Sequence, residues 1–354
     1  MSISLEFKKE ESCEQIYSLY DRKSGLKAII AIHNTTLGAA IGGCRMMDYI
    51  SENEALADVT RLAKNMTYKS AIAGVKYGGG KSVILKQKNS LDRKLLFTTF
   101  GKFINKLQGQ YITAIDSGTT LDDMEIISYQ TPYVTGYAYQ IKRLLNPAYY
   151  TALGVLQSLY AAIAYKYNSF DLIGKKILIK GVGNVGYCLA KLLHKQNVKL
   201  FITDLDIQKA KRYENELKAT FVDPDAIFNN NYNIVCPCDT EFTVTEKNIS
   251  SIKTDILLGA TNNQLEHDCL ADELVNKGIL YCPDYVVNSG GLIYVAALYE
   301  KKSTQDILDK IKKLSATTEN ILKYADTHQI STKASADKMA EEIITSSYEE
   351  KITA

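Results

Sequence analysis

The chain has 354 residues, of which 46% are apolar and 23% are charged, and its formal net charge at pH 7 is +2. Such values are typical of a globular protein long enough to form two domains with a buried core in each. The charge is too small to attract nucleic acid or an anionic membrane, and no apolar run approaches the ~18 residues that span a bilayer. We therefore expect a protein that binds neither nucleic acid nor membrane.

The N-terminus and the cysteines indicate the cellular compartment. Residues 1–10 are charged and lack the apolar core of a signal peptide. The seven cysteines are odd in number and form no CxxC pair. Cys236 and Cys238 flank a proline, but two thiols with few histidines make a poor metal-ligand set. The expectation is a reduced, cytoplasmic protein without a metal site.

The first part of the chain predicts an α/β domain. Residues 26–33 form an apolar run that indicates a strand. Ser51 followed by Glu54 is typical of a capping box, and apolar residues recur on one face of the helix that it would begin. A second strand is predicted at 109–114, directly before Asp116.

Three polar residues of this first domain are candidates for chemistry. Lys69 lies on the apolar face of the helix, where a lysine either extends its amine to solvent or holds a buried anion. Residues 78–81, Gly-Gly-Gly-Lys, lack the spacing of a P-loop, and we interpret them as a turn that enters a strand. Lys81 is then either an exposed hairpin residue or, enclosed by apolar neighbours, a base with a lowered pKa. Asp116 is either an active-site acid or a turn residue.

The second part of the chain alternates strand-like runs with helical segments. Six such runs with intervening helices predict a doubly wound, Rossmann-type parallel sheet. The runs are 176–180, 199–203, 219–222, 233–236, 255–259 and 278–282.

Residues 181–186 form a glycine-rich fingerprint between the first of these strands and a helical segment at 187–196. Asp204 follows the next strand, at the distance expected for an acid that binds a ribose. Its carboxylate would repel a 2′-phosphate, so NAD is favoured over NADP, although Lys209 and Arg212 lie nearby. The alternative is a glycine turn without a nucleotide. The residues predicted to form the cofactor turn are Gly181, Val182, Gly183, Asn184, Val185 and Gly186.

Two asparagines follow late strands of the same sheet. Asn263 and Asn288 would lie at the strand ends that face the ligand crevice, where an amide can orient a nicotinamide. Turn formation is the competing role. Two helices, near 304–327 and 331–349, are predicted to close the chain.

Several segments together resemble the Glu/Leu/Phe/Val dehydrogenase family, and its leucine dehydrogenase branch in particular. The resemblance extends from about Leu19 to Glu342, and it implies NAD-dependent, reversible deamination of an L-amino acid to a 2-oxo acid and ammonia. The matching segments are 24–33, 35–38, 42–45, 66–69, 78–81, 116, 181–186, 260–264 and 283–288.

The resemblance also implies roles for individual residues. Lys69 would bind the substrate carboxylate beside the backbone of Gly42 and Gly43, Lys81 would be the catalytic lysine, and Asp116 would handle protons on the amino nitrogen. Apolar residues would line the side-chain pocket, which favours leucine, isoleucine and valine over phenylalanine and disfavours glutamate. These pocket residues are Ile41, Ala114, Leu292 and Val295.

The resemblance implies two domains with a cleft between them. Residues 1–137, with a C-terminal helix at about 335–354, would form the substrate-binding and oligomerisation domain of a homo-oligomer. Residues 138–334 would form the NAD domain. The chain departs from the branch at Ile115, at 148–150 and at Tyr294. An aromatic amino acid dehydrogenase and a non-catalytic NAD-binding homologue are the alternatives.

Overall fold

A computed structural model describes residues 4–10, 13–86, 92–137 and 146–353. The chain divides into two compact units. The first comprises Met1–Leu145, Tyr294–Thr304 and Ala340–Ala354, and the second comprises Asn146–Ile293 and Gln305–Met339. Most of the predicted crossover at 137–147 lies outside the described residues. Within the described ranges, no helix has the length and apolar character needed to cross a membrane.

The first unit contains a six-stranded sheet with the order β1-β2-β3-β5-β4-β6. Strands β1, β2, β3 and β5 pair antiparallel, whereas β4 runs parallel to both β5 and β6. The strands are β1 (Ser4–Glu10), β2 (Cys13–Asp21), β3 (Leu26–Asn34), β4 (Ala40–Met47), β5 (Gly78–Leu85) and β6 (Tyr111–Ile115).

Helices cover both faces of this sheet. Helix α1 (Glu52–Ile72) packs Val59 and Ala63 against one face, and α2 (Arg93–Lys106) and α3 (Leu121–Ser128) pack on the other. The predicted capping box is half present. Ser51 Oγ accepts a hydrogen bond from Glu54 N at 3.1 Å, but Glu54 Oε2 accepts one from Ile50 N rather than from Ser51.

The predicted turn at residues 78–81 is wrong, because these residues are the first half of β5. Glycine is needed here by close neighbours on both sides of the strand. A Cβ at Gly78 would lie 2.1 Å from the carbonyl oxygen of Asn34, and a Cβ at Gly79 would lie 2.1 Å from Thr67 N on α1. The glycines therefore let β3 and α1 approach the strand that carries Lys81.

The second unit confirms the predicted doubly wound sheet. All of its strand pairs are parallel, and their order is β12-β11-β10-β7-β8-β9. The strand order reverses between β7 and β10, and ligands of such folds bind there, at the carboxyl ends of the strands. The strands are β7 (Lys176–Lys180), β8 (Lys199–Thr203), β9 (Thr220–Phe221), β10 (Tyr232–Pro237), β11 (Thr254–Leu257) and β12 (Leu280–Tyr281).

The helices of the second half of the chain differ from the prediction in two places. The helix expected at 187–196 already begins at Asn184, and the helix expected at 304–327 is interrupted at Lys313. These helices are α4 (Pro147–Tyr167), α5 (Asn184–His194), α6 (Ile207–Leu217), α7 (Leu270–Asn276), α8 (Asp284–Val287), α9 (Gly290–Tyr299), α10 (Thr304–Lys312), α11 (Leu314–His328) and α12 (Thr332–Thr353).

Candidate active site

One face of the first sheet carries most of the candidate residues of that unit. Ile41 pairs with Gly79 on β5, and Gly43 pairs with Ala114 on β6. Since alternate residues of a strand point to the same side, the register defines a single face that α1 covers. This face carries Ile41, Gly43, Arg45, Lys81 and Ala114.

Lys81 and Asp116 form an ion pair on this face, between Lys81 Nζ and Asp116 Oδ2. The two residues lie on opposite sides of β4, because Lys81 belongs to β5 and Asp116 follows β6. Gly43 makes the contact possible. A Cβ at this position would lie 2.7 Å from Asp116 Cβ, so the glycine leaves room for the carboxylate to cross over β4.

The environment of the pair keeps Asp116 ionised. Burial alone would raise the pKa of its carboxyl group, but the cations Lys81 and Arg45 outweigh burial and hold that pKa at about 2. Only 7% of Lys81 is exposed to solvent. The apolar surroundings predicted for Lys81 therefore contain a carboxylate partner, so the lysine is part of a buried charge pair.

The structure gives less support for the residues that are predicted to bind the substrate carboxylate. Lys69 is half-buried in the last turn of α1, the helix that Gly79 brings against β5. The carbonyl oxygen of Gly42 accepts a hydrogen bond from Tyr111 Oη at 2.7 Å, so this carbonyl already has a partner. The role of Gly42 and Lys69 in substrate binding stays a prediction.

The predicted pocket residues belong to different parts of the chain. Ile41 and Ala114 share the face of Lys81 and are 0% and 4% exposed. Leu292 is buried in the second unit, whereas Val295 belongs to the first and is half-buried. Tyr294, between them, is 0% exposed.

In the glycine turn of the second unit, two positions require glycine, each for a different structural reason. Gly181 has φ of 95°, in the left-handed region that favours glycine. A Cβ at Gly186 would lie 2.0 Å from the carbonyl oxygen of Gly181, so this glycine allows α5 to pack on the turn. At Gly183, in contrast, a Cβ would meet no atom within 4 Å, which leaves open space beside the backbone.

This open space lies at the N-terminus of α5. Gly183 is the N-cap of the helix and supplies no side-chain hydrogen bond to the first turn, which contains Asn184, Val185 and Gly186. The first N–H groups of a helix can bind a phosphate, and the helix dipole favours its negative charge. The turn is therefore suited to a pyrophosphate.

Asp204 is connected directly to the turn. Its Oδ2 accepts hydrogen bonds from Val182 N at 2.8 Å and from Lys209 Nζ at 3.0 Å. Burial raises the pKa of Asp204, but hydrogen bonds from the Asp206 backbone, Lys209 and Val182 lower it overall. The carboxylate next to the glycine turn is therefore an anion, and Lys209 is its counter-ion.

A cavity of about 510 Å³ adjoins these residues. It is bounded on one side by Gly181, Gly183 and Asp204, and on the other by apolar side chains such as Ile227 and Phe242. Its lining combines the glycine turn, a carboxylate and apolar surface, which suits an adenosine diphosphate moiety.

The two asparagines lie in loops of the same unit. Asn263 has φ of 58° and its backbone N–H donates to Asp284 Oδ2. Asn288 Nδ2 donates to the carbonyl oxygen of Ala260 at 3.1 Å and to Asn262 Oδ1 at 2.8 Å. Asn288 Oδ1 is buried and accepts no hydrogen bond from the described residues. An acceptor in this state fits the amide of a nicotinamide.

Sequence reasoning missed several contributors to the first unit's site. Arg45 lies 3.4 Å from Asp116, measured from its Nε to Oδ2, and Tyr111 holds the Gly42 carbonyl. The signal for Arg45 was its position in the motif at 42–45, on the same strand face as Gly43. No comparable signal marked Tyr111, whose function depends on the pairing of β4 with β6.

Comparison with known proteins places both units in one family. Residues 13–133 match "Glu/Leu/Phe/Val dehydrogenase, dimerisation domain", and residues 202–350 match "Glutamate/Leucine/Phenylalanine/Valine dehydrogenase". Leucine dehydrogenase of Bacillus subtilis is 40% identical over 94% of this chain and 91% of its own length. Phenylalanine dehydrogenase of Lysinibacillus sphaericus is 38% identical over 96% and 90%. The crystal structure of L-tryptophan dehydrogenase from Nostoc punctiforme has a TM-score of 0.83 and 36% identity, with 95% and 97% coverage.

Proposed function

Because the chain belongs to the Glu/Leu/Phe/Val dehydrogenase family, we propose that it deaminates leucine, isoleucine and valine in preference to other amino acids. The chain is an NAD-dependent amino acid dehydrogenase, and the proposal concerns which amino acid it uses. The observation that carries the proposal is the buried Lys81–Asp116 pair on the same sheet face as Ile41 and Ala114. A charge pair beside apolar side chains is suited to an amino acid with an aliphatic side chain.

The pair supplies the proton chemistry of deamination. Asp116 is a carboxylate at neutral pH, since its pKa lies at about 2, and it would bind the substrate's ammonium group and orient the protons on the amino nitrogen. Lys81 would hold the water that attacks the imine carbon, and its contact with Asp116 provides a path for the proton that the water loses. Lys69 would bind the substrate carboxylate.

NAD, when bound, accepts the hydride from the substrate's Cα. The chain's own residues would hold it in the second unit. The turn at Gly181, Gly183 and Gly186 would bind the pyrophosphate, Asp204 the adenosine ribose, and Asn288 the nicotinamide amide.

The residues that the family resemblance assigns to the side-chain pocket are all apolar, which supports an aliphatic substrate. Ile41, Ala114, Leu292 and Val295 offer no charge that would pair with a glutamate side chain. Burying an unpaired carboxylate costs several kcal/mol, whereas one methylene changes the preference by only about 1–3 kcal/mol. The values of kcat/KM for leucine, isoleucine and valine should therefore differ by no more than about 10- to 200-fold, and glutamate should be rejected more strongly.

The test is a panel of the twenty L-amino acids with NAD at alkaline pH, measured as NADH formation. We expect the highest kcat/KM for the three branched aliphatic substrates, and a loss of about 10²–10⁴-fold in Lys81→Ala. Lys86→Ala, an exposed lysine just after β5, is the matched control and should retain activity. Turnover confined to other amino acids would refute the proposed substrate.

An aromatic substrate is the second candidate. Phenylalanine dehydrogenase of L. sphaericus is 38% identical to the chain, close to the 40% of B. subtilis leucine dehydrogenase. The ratio of kcat/KM for leucine to that for phenylalanine and tryptophan decides between the two. A non-catalytic homologue is disfavoured by the intact Lys81–Asp116 pair, and tight NAD binding without turnover of any amino acid would support it.

We also propose that the chain forms a homo-oligomer through its first unit, since residues 13–133 match a dimerisation domain. Light scattering after size exclusion measures the mass, and a mass of 39.4 kDa at micromolar concentration would contradict this.

A further inference from the structure

A line of alternating charges extends from the Lys81–Asp116 pair to the outer part of α1. Arg45 on β4 is its central member. Its Nε lies 3.4 Å from Asp116 Oδ2, and its Nη1 lies 3.0 Å from Asp58 Oδ2 on α1. The guanidinium therefore bridges two carboxylates that belong to different elements.

Asp58 is itself held in place from two further directions. Tyr49 Oη donates a hydrogen bond to its Oδ2 at 2.9 Å, and Arg61 Nη2 lies 2.6 Å from its Oδ1. The side chains of Arg45 and Asp58 are 15% and 16% exposed, whereas that of Arg61 is 46% exposed. Arg61 is thus the solvent end of the line and Asp116 the inner end.

The contact between Arg45 and Asp116 is electrostatic. Arg45 Nε and Asp116 Oδ2 are both buried, and Arg45 Nε makes no hydrogen bond to a described residue. A buried charge without a counter-charge is costly, so Arg45 depends on the charge of Asp116, and Asp116 depends on the charges of Arg45 and Lys81. Asp58 prevents Arg45 from leaving this position.

The backbone of Asp116 is fixed separately. Asp116 N donates to Thr119 Oγ1 at 3.0 Å, and Thr119 Oγ1 donates to the carbonyl oxygen of Asp116 at 2.8 Å. These bonds hold the turn but do not contact the carboxylate. The direction of the carboxylate is therefore set by the two cations, Lys81 and Arg45, together with a hydrogen bond from the backbone N–H of Ser117.

We propose that Arg45, held by Asp58, is a positioning residue that keeps the Asp116 carboxylate against Lys81 in the orientation needed for proton transfer. The inference rests on the proposed function. When Lys81 exchanges its proton with water, its hold on Asp116 weakens, and Arg45 retains the carboxylate. Besides these two cations, the titratable groups that act on Asp116 are Cys44 on β4, Tyr49 after it and Tyr111 on β6.

The kinetic test is a double-mutant cycle. Arg45→Met should lower kcat by about 10- to 100-fold with little change in KM, because a displaced catalytic group slows the chemical step. In the Asp116→Asn background, Arg45→Met should lower kcat by less than a further factor of about two, since the effects of mutations at residues that act through one another are not additive. Arg45→Lys should recover part of kcat. Arg61→Met is the matched control, and it should leave kcat within about twofold because exposed ion pairs contribute little.

A second readout does not depend on turnover. In a crystal structure of Arg45→Met, the Asp116 carboxylate should have rotated away from Lys81, whereas in Arg45→Lys it should stay. The proposal would be overturned if the losses of kcat in Arg45→Met and Asp116→Asn proved additive. It would also be overturned if the Asp116 carboxylate kept its position in Arg45→Met. If Arg45→Met does not fold, Asp58→Asn, which frees Arg45, replaces it in both measurements. An inactive wild type would refute the proposed function. The position of the Asp116 carboxylate in the crystal structures of the variants would still test whether Arg45 is a positioning residue.

Discussion

Gly43 lies directly against the side chain of Asp116, so that a Cβ at position 43 would approach Asp116 Cβ to 2.7 Å and the carbonyl oxygen of Ile115 to 3.0 Å. At this position of β4, between β5 and the end of β6, the chain contributes backbone atoms only. A carboxylate after β6 can therefore reach Lys81 across the intervening strand.

Replacing Gly43 by alanine should break this contact. The added methyl group must displace Asp116, since it would lie 2.7 Å from Asp116 Cβ and 3.3 Å from the carboxyl carbon. We expect kcat to fall by about 100-fold, the size of effect seen when a catalytic group is misplaced by about 1 Å. Gly101→Ala, whose added methyl group would lie 3.0 Å from Gln130 Cβ and 3.2 Å from Ile127 Cα, is the control for a comparably crowded methyl group elsewhere in the unit. Equal activity of the two variants would contradict the assigned role of Gly43.

The glycine turn of the second unit allows a sharper comparison, between Gly183→Ala and Gly186→Ala. A Cβ at 183 meets nothing within 4 Å, so the variant should fold with a loss of at most about 1 kcal/mol. It should nevertheless bind NAD at least about tenfold more weakly, because the methyl group occupies the space of the pyrophosphate.

Gly186→Ala should show the opposite pattern. Its Cβ would lie 2.0 Å from the carbonyl oxygen of Gly181, which the helix cannot avoid without moving. We expect a lower melting temperature as the first effect. Calorimetric melting and NAD titration on both variants measure this, and unchanged NAD affinity in Gly183→Ala would exclude the turn as the pyrophosphate site.

The sequence predicted the second sheet better than the first because of how the strands are buried. Parallel strands covered on both faces read as continuous apolar runs, such as Lys176–Lys180, and each of the six predicted runs overlaps a strand. The first half of the strand Gly78–Leu85 was mistaken for a turn, because its glycines are required by contacts with Asn34 and α1, which are distant in sequence.

Contacts between residues that are distant in sequence also limited the prediction of the site. Lys81 and Asp116 were candidates from their sequence context and received roles from the family resemblance, while their contact depends on the order β5-β4-β6. Arg45 stood in a recognised motif, yet its function emerges only from a 3.4 Å approach to Asp116 and a 3.0 Å approach to Asp58. Such distances follow from strand register, which local sequence patterns do not specify.

The choice between NAD and NADP should depend on Asp204 and its counter-ion. Asp204→Ser removes the carboxylate that would bind the ribose hydroxyls and frees Lys209 Nζ, now 3.0 Å from Oδ2, for a 2′-phosphate. Hydrogen bonds to charged groups contribute about 1.5–3 kcal/mol, so kcat/KM with NAD should fall by about 10- to 100-fold. Activity with NADP should rise. In Asp204→Ser/Lys209→Met the gain with NADP should disappear, and its persistence would exclude Lys209 as the phosphate ligand.

The stability of the chain should fall as the pH decreases from about 6.5 to about 4, in part because of His33. Burial, together with Lys64, lowers the pKa of His33 to about 4, although Glu14 acts in the other direction. Its Nδ1 lies 2.8 Å from Thr67 Oγ1. Between the two pKa values the unfolded chain binds a proton that the folded chain does not, so the free energy of unfolding decreases as the pH is lowered.

The contribution of His33 is isolated by His33→Gln, measured by urea unfolding at pH 7.5 and at pH 4.5. We expect the wild type to lose about 2–3 kcal/mol more than the variant over this interval, which is the linkage equivalent of the lowered pKa. His267→Gln, at an exposed histidine, should behave like the wild type. If His33→Gln and the wild type lose the same free energy of unfolding, the acid sensitivity belongs to other groups, and His33 is not the buried neutral histidine that its contact with Thr67 indicates.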